Sequence, residues 1–148
     1  MRYLGVAVAL LAIIAPEGMC ANETLGPVSV IVSADGSRVC VAEYAARRVA
    51  FFEAASGKEL FSVELAEGPW GLALSPDGTR VYATGAAAAG KVYAIDIPSK
   101  NVALTINAGH TPSSVAVSPD GATLYVCNRF DNSVGVYDAA SGAALAAG

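Results

Sequence analysis

Large apolar residues recur at every second position along short stretches of this chain, a period of two rather than the 3.6 of a helix. The clearest examples are "VSVIV" at residues 28–32, "LAL" at residues 72–74 and "VAV" at residues 115–117. Such alternation is typical of half-buried β-strands. Gly, Pro, Asp and Ser separate the stretches, and these residue types favour turns. The pattern therefore predicts an all-β chain built from short strands.

The pattern repeats with a step of 42 or 43 residues. Ser33, Ser75 and Ser118 begin the corresponding motifs "SADG", "SPDG" and "SPDG". A proline precedes each motif, and an acidic residue with a serine three positions later follows it. These landmarks are Pro27, Pro69 and Pro112, then Glu53 with Ser56, Asp96 with Ser99 and Asp138 with Ser141. A constant step of this length indicates a repeat architecture.

Each copy is predicted to contain four strands. The first strands of the three copies cover residues 28–32, 70–74 and 114–117, and the second strands cover residues 38–42, 80–83 and 123–127. The third strands cover residues 48–53, 91–97 and 133–138. The fourth strands of the first two copies cover residues 59–65 and 101–106. The fourth strand of the last copy only begins before Gly148. Residues 42–55 contain strong helix formers, but the matching stretches carry Gly, Asn and β-branched residues, so strand, loop and strand are expected there too.

Four antiparallel strands per repeat fit one blade of a β-propeller. The residues that match a known family are "SPDG" at 118–121, "LYVCN" at 124–128, "NSVGVYD" at 132–138 and "SG" at 141–142, with "GPWGLALSPDGTRVYAT" and "KVYAID" in the second copy. On these residues, the chain resembles the YVTN family of β-propeller repeat proteins, related to NHL-like and WD40-like propellers. The resemblance spans residues 26–148 and implies three blades, at about residues 26–66, 67–108 and 109–148, with the last incomplete.

Members of this family usually close a ring of about seven blades. A chain with fewer than three complete blades leaves a sheet face of roughly 350 Å² uncovered at each end, from the spacing and rise of the strands. We therefore expect this chain to be a fragment of a longer propeller, or to need other blades or copies to cover its open sheet ends.

The first twenty residues are predicted to be an export signal. Arg2 precedes an unbroken apolar run at residues 4–14, Pro16 follows it, and cleavage is expected after Cys20. A lipid anchor on Cys20 is the alternative. We predict a signal peptide at residues 1–20, a repeat domain at residues 21–148, no membrane span after cleavage, and a periplasmic, cell-surface or extracellular location.

Composition adds two exclusions. A chain with 54% hydrophobic and 15% charged residues is too apolar to be disordered. A net charge of −4 without a basic cluster gives no reason to expect nucleic acid as a partner.

Cys40 and Cys127 lie in copies that are not neighbours, so we expect two small buried apolar residues and no disulfide bridge between them.

The repeated Asp35, Asp77 and Asp120 are assigned to turns, because Asp-Gly between two apolar strands suits a hairpin. Antiparallel order puts the loops between second and third strands, and those between copies, at the opposite end. The resemblance implies that ligands bind there. The ligand-binding candidates at that end are Arg47, Arg48, Trp70, His110, Arg129 and Asp131.

Alternatives remain for several of these candidates. Trp70 suits packing under the loops as well as stacking on a ligand, and Arg129 suits a local pair with Asp131 as well as a ligand. His110 alone cannot build a metal site, which takes three or four protein ligands. No metal or cofactor is expected, because the sequence lacks a nucleophile motif, a phosphate-binding glycine loop and a Cys-x-x-Cys-His haem attachment.

Two classes of function follow from the sequence. The first is an exported, non-catalytic propeller module that acts as a binding or scaffolding surface for a protein, glycan or small ligand. The alternative is the N-terminal part of a propeller enzyme or redox protein, lactonase-like or cytochrome-associated, which the family resemblance also implies. The sequence favours the non-catalytic class without deciding between them.

Overall fold

A computed structural model describes residues 25–147 of the chain as three four-stranded antiparallel sheets. The first sheet contains β1 (Pro27–Val32), β2 (Arg38–Glu43), β3 (Arg48–Glu53) and β4 (Glu59–Glu64). The second contains β5 (Pro69–Leu74), β6 (Arg80–Gly85), β7 (Lys91–Asp96) and β8 (Asn101–Asn107). The third contains β9 (Pro112–Val117), β10 (Thr123–Asn128), β11 (Ser133–Asp138) and β12 (Ala144–Ala147).

The described residues form strands and turns without helices, so this part of the chain offers no apolar helix long enough to cross a membrane. The predicted signal peptide at residues 1–20 lies outside the described residues. Each sheet uses four strands that are consecutive in sequence, which confirms the all-β prediction of propeller blades.

Residues 42–55 form strand, turn and strand, as the repeat predicted. Glu43 at the end of β2 pairs directly with Arg48 at the start of β3. Arg47 between them has a φ of 52°, which lies outside the right-handed helical region. Cross-strand pairing therefore overrides the helix propensity of the local sequence.

The last blade ends as the sequence predicted, with a fourth strand that only begins. This strand, β12, covers four residues, three of which have partners in β11. The first strands start earlier than predicted, at Pro27, Pro69 and Pro112.

The three sheets stack face to face, with the first strands β1, β5 and β9 next to one another. One apolar cluster fills the space between the first and second sheets, and another fills the space between the second and third. The first includes Cys40, Phe51 and Val63 with Val81, Tyr93 and Ile95. The second includes Tyr82, Val92 and Ile106 with Val115, Leu124 and Val126. Alternate side chains of the middle sheet thus serve both clusters, as expected for a blade between two neighbours.

The two outer sheets keep apolar side chains in contact with solvent. Val30 on β1 is 62% exposed, and Tyr125 on β10 is 45% exposed. Cys40 and Cys127, the two cysteines among residues 25–147, are free, and Cys40 is buried as predicted. The prediction of a buried Cys127 is wrong, because its strand belongs to an end sheet with no further described sheet against that face.

The loops sort into two ends of the molecule. Three equivalent backbone hydrogen bonds join the loop after each second strand to the loop before each first strand. They run from the N–H groups of Tyr44, Ala86 and Arg129 to the carbonyls of Gly26, Gly68 and Thr111, at 2.9, 3.0 and 3.2 Å. We call this end the rim, and the opposite end, which carries the Asp-Gly hairpins, the turn end.

Candidate functional site

The turn end consists of hairpins whose carboxylates are used locally. Asp77 Oδ1 accepts hydrogen bonds from the Ser75 hydroxyl at 2.6 Å and from the Thr79 N–H at 3.0 Å. Gly78 follows with a φ of 71°, which suits glycine. The same arrangement occurs at Asp35 and Asp120. These aspartates therefore shape the turns.

Hydrogen bonding to the charged form lowers the pKa of these carboxyl groups. The Ser33 hydroxyl, with the N–H and hydroxyl of Ser37, lowers the pKa of Asp35 to about 2. Asp77 and Asp120 have lowered pKa values because of Ser75 and Ser118, respectively. A cleft of about 510 Å³ lies at this end between the second and third sheets, and Asp77 and Asp120 line it while accepting hydrogen bonds from their own turns.

The rim carries a cleft of about 350 Å³ between the first and second sheets. We call it the Glu67 cleft. Its lining residues are Tyr44, Ala45, Arg47, Ala66, Glu67, Gly68, Ala86 and Ala87. Only one of them, Arg47, was among the residues predicted from the sequence, and its backbone has the left-handed φ already noted.

The three copies differ at the rim in how they fill one repeated position, the last residue of the second strand. In the first sheet this residue is Glu43, which is 3% exposed and accepts a 2.5 Å hydrogen bond from Arg48 Nε. The Arg48 guanidinium also donates to Glu59 at 3.2 Å and to the Ser62 hydroxyl at 3.2 Å. The sequence-predicted candidate Arg48 is thus held by internal partners.

In the third sheet the same position is Asn128, which is 4% exposed. Its side-chain oxygen accepts from the Gly109 N–H at 3.1 Å, and its amide nitrogen donates to the Ser133 hydroxyl at 3.2 Å. The buried polar group is again satisfied within the protein, as buried polar groups usually are.

In the second sheet the position is Gly85, and side chains from other positions fill the space that its own side chain would take. A Cβ on Gly85 would come within 2.5 Å of Glu67 Oε2 and 3.0 Å of Tyr93 Cε2, so the carboxylate and the phenol ring share this space. Lys91 Nζ lies 4.0 Å from Glu67 Oε1, at the limit of an ion pair. Glu67 Oε2 and the Tyr93 hydroxyl are buried and have no hydrogen-bond partner.

Trp70 lies at the start of β5 and remains 42% exposed. Its ring packs edge-to-face against Tyr44, with the ring centroids 5.7 Å apart. Tyr44 lines the Glu67 cleft. Trp70 therefore packs at the rim and still presents surface to solvent, so both roles considered from the sequence are compatible with its position.

His110, Arg129 and Asp131 lie together at the rim of the third sheet. Asp131 accepts a 2.6 Å hydrogen bond from the His110 N–H, and Arg129 lies over the Phe130 ring with its guanidinium carbon 5.5 Å from the centroid. His110 packs edge-to-face on the same ring at 5.2 Å. The expected local pair between Arg129 and Asp131 is not formed; Asp131 bonds to the backbone of the loop before β9 instead.

Within residues 25–147, no group of three or more His, Cys, Asp or Glu side chains is arranged to hold a metal ion. The site residues that the sequence analysis missed are Glu67, Lys91 and Tyr93. One signal for them was available, since Gly85 occupies the repeat position where the other copies carry Glu43 and Asn128.

Stacked four-stranded antiparallel sheets with neighbouring first strands give the described residues a β-propeller-like fold. Comparison with protein-family models and with curated protein sequences gives no match. Solved structures do match. Kuenenia stuttgartiensis hydrazine synthase has 28% sequence identity and a TM-score of 0.78, over 90% of this chain and 38% of that one.

A putative 6-phosphogluconolactonase from Bacteroides fragilis has 25% identity and a TM-score of 0.69, over 82% of this chain and 37% of that one. The chain thus spans less than two fifths of the length of these two similar structures. The likeness supports the propeller-like fold.

Proposed function

We propose that this chain is an exported, non-catalytic propeller module of the YVTN type that binds a protein, glycan or small ligand at its rim. The observation that carries the proposal is the Glu67 cleft, with Arg47 and Tyr44 in its lining and the exposed Trp70 beside it. Arginine and aromatic side chains are the residue types that most often dominate binding surfaces.

The rim supports this proposal better than the turn end does. At the turn end the repeated aspartates accept hydrogen bonds from their own turns, and the three copies use nearly the same residues. At the rim the copies differ, and the Arg47 side chain is exposed there.

The proposal includes further blades or copies that cover the exposed apolar faces of the first and third sheets. It also includes export, with a periplasmic, cell-surface or extracellular location. Nucleic acid remains an unexpected partner, since the chain has a net charge of −4.

A glycan array probed with the full chain tests rim binding. We expect Arg47→Ala to weaken binding about tenfold or more, as for an arginine central to a binding surface. Lys58→Ala is the matched control, because Lys58 is an exposed cation at the turn end. Equal losses in the two variants, or binding that survives Arg47→Ala and Trp70→Ala together, would contradict the proposal.

A propeller enzyme is the second candidate, because the similar structures are described as a hydrazine synthase and a putative 6-phosphogluconolactonase. Hydrolysis of δ-gluconolactone and of 6-phosphogluconolactone by the purified chain tests the lactonase form of this candidate. Turnover above the uncatalysed rate that is lost on rim substitution would replace the non-catalytic proposal.

A further inference from the structure

One repeated apolar position on the first strand of each copy faces the preceding sheet. Its residues are Val30, Leu72 and Val115. Leu72 belongs to the apolar cluster between the first and second sheets, and Val115 belongs to the cluster between the second and third. These two side chains are 8% and 7% exposed, whereas Val30 is 62% exposed. Val30 thus occupies an interface position that no sheet covers among residues 25–147.

A second repeated position, on the second strand of each copy, faces the following sheet. Its residues are Cys40, Tyr82 and Tyr125. Cys40 lies in the same cluster as Leu72, and Tyr82 lies in the same cluster as Val115. Cys40 and Tyr82 are 1% and 2% exposed, whereas Tyr125 is 45% exposed. The third sheet therefore exposes one half of an interface whose other half is exposed on the first sheet.

We propose that two copies of this chain close head to tail into a ring of six sheets, with Tyr125 of each copy packed beside Val30 of the other. This inference deepens the proposed function, which includes cover for the end sheets, and rests on that part of it. The two joints within the chain supply the geometry, because the residues that meet in them come from the same repeat positions. Unlike faces meet in such a ring, so the interface is heterologous.

The number of sheets and the area of the faces favour a closed ring of two copies. Each copy contributes three sheets, so two copies give six blades and three copies give nine, whereas propellers have about four to eight. One joint between two faces of roughly 350 Å² buries roughly 700 Å², less than the roughly 1,200 Å² of a stable interface. A ring of two copies has two joints and buries roughly 1,400 Å², which lies within the range of stable complexes.

The strands that meet in the proposed joint present apolar side chains. Within the chain, neighbouring first strands lie side by side, and each second strand touches the first strand of the following sheet. At the joint between copies, β9 and β10 of one copy therefore meet β1 of the other. Exposed side chains on these strands include Val28 and Val32 on β1 and Ala116 on β9. Burial of such side chains favours association.

Cys127 provides a direct measure of the joint in the unchanged chain. It lies two residues after Tyr125 on β10, on the same face, and it is exposed. Its counterparts Ala42 and Thr84 are both 0% exposed, because a neighbouring sheet covers them. In the ring a second copy covers Cys127 in the same way. We expect its alkylation by iodoacetamide, followed by peptide mass spectrometry, to slow about tenfold or more as rising concentration forms the ring.

Sedimentation equilibrium of the purified chain tests the ring, and we expect twice the mass of one chain. Val30→Asp and Tyr125→Asp should each raise the dissociation constant about 100-fold or more, because each places an unpaired carboxylate in a buried joint. Ala103→Asp is the matched control, because Ala103 is exposed on β8, the edge strand of the middle sheet. Far-UV circular dichroism checks that each variant keeps its strands.

The two variants also distinguish a head-to-tail ring from other assemblies. Each copy in the ring contributes one first-sheet face and one third-sheet face, so either substitution damages both joints. If Val30→Asp abolishes the dimer and Tyr125→Asp leaves it intact, or the reverse, like faces pair and the inference is overturned. A series of masses that grows with concentration also overturns it, because head-to-tail contacts that do not close form filaments.

A chain that stays monomeric up to about 100 μM overturns the inference, and the end sheets then need further blades rather than a second copy. Unchanged alkylation of Cys127 over the same concentrations also overturns it, and this measurement decides even if the two variants fail to fold. Neither result affects rim binding, which the glycan array tests with Arg47→Ala. The failure of this inference and the failure of rim binding are therefore distinguishable.

Discussion

The first and second sheets differ at the rim in whether their buried polar side chains find hydrogen-bond partners. In the first sheet, Glu43 and Arg48 form a hydrogen-bonded ion pair that Glu59 and Ser62 complete. In the second sheet, Gly85 leaves a space in which Glu67 and Lys91 meet loosely and the Tyr93 hydroxyl has no partner. The first site stabilises the fold through its hydrogen bonds, whereas the second leaves Glu67 Oε2 and the Tyr93 hydroxyl without a hydrogen-bond partner in the protein.

The largest expected effect comes from breaking the closed site. Glu43→Ala should lower the free energy of unfolding by about 2–3 kcal/mol, because it leaves the partly buried Arg48 with fewer partners. Glu67→Ala should leave it unchanged or raise it, since the loose pair with Lys91 contributes little and the removed carboxylate oxygen has no hydrogen-bond partner. Urea unfolding measures both values, and Glu64→Ala provides an exposed control. Equal losses at Glu43 and Glu67 would remove the contrast between the two sites.

The next effect comes from filling the open site. Gly85→Ala places a Cβ where Glu67 Oε2 and the edge of Tyr93 now lie, so both must move by a few tenths of an ångström or more. We expect ligand binding at the rim to weaken about tenfold or more, with a loss of stability of about 1 kcal/mol from the crowding. Gly36→Ala is a poor control, because its φ of 71° adds strain. Ala122→Ser is the control, because Ala122 is exposed in a turn at the opposite end, and this variant should retain binding in calorimetry.

A smaller effect is expected from relieving the strained loop beside the cleft. Arg47 has a φ of 52°, which costs a non-glycine residue about 1–2 kcal/mol relative to glycine. A new glycine destabilises the folded state by about 0.5–1 kcal/mol, because it loses more conformational entropy on folding. Arg47→Gly should therefore leave stability unchanged or raise it by up to about 1 kcal/mol, and it should reduce ligand binding. A marked loss of stability in thermal unfolding would mean that Arg47 serves the fold.

The smallest effect belongs to the turn end and depends on pH. Asp35, Asp77 and Asp120 have lowered pKa values in the folded chain because of hydrogen bonds within their turns. Between the ordinary pKa of 3.8 and about 2, the unfolded chain binds more protons than the folded one. Their stabilisation is therefore present above pH 4 and is lost as pH falls toward 2.

Asp35→Asn should flatten this acid-range loss in thermal melts recorded from pH 5 to pH 2. Solvent exposure makes the contribution of each carboxylate modest. Asp131→Asn at the rim is the comparison, because its carboxylate bonds to the His110 backbone rather than to a turn of its own. An unchanged slope in Asp35→Asn would show that the turn hydrogen bonds do not affect stability.

Local sequence was enough to predict most of the fold. Alternating apolar residues specified the strands, and the Asp-Gly motifs specified the hairpins, because both depend on residues close together in the chain. The repeat corrected the one misleading stretch, residues 42–55. The fourth strand of the last copy is short, as predicted, and its alanine-rich segment has little intrinsic strand preference and depends on pairing with β11.

The candidate site was predicted less completely. The sequence located the rim and its exposed Arg47 and Trp70, because antiparallel order fixes which loops share an end. It also grouped Arg48 with them, although Glu43 and Glu59 hold its guanidinium. A charged side chain forms an ion pair only if neighbouring strands bring an opposite charge close to it. The local sequence does not show which charges the strands bring together.

The sequence by itself determined the blade: four strands, their order, and hairpin turns that carry the repeated aspartates. Only the tertiary structure decided which polar groups lack a partner. Glu67 comes from the loop between sheets, and Gly85, Lys91 and Tyr93 come from the sheet that follows. Their meeting depends on how the first and second sheets stack, and stacking is set by long-range apolar packing rather than by neighbours in sequence.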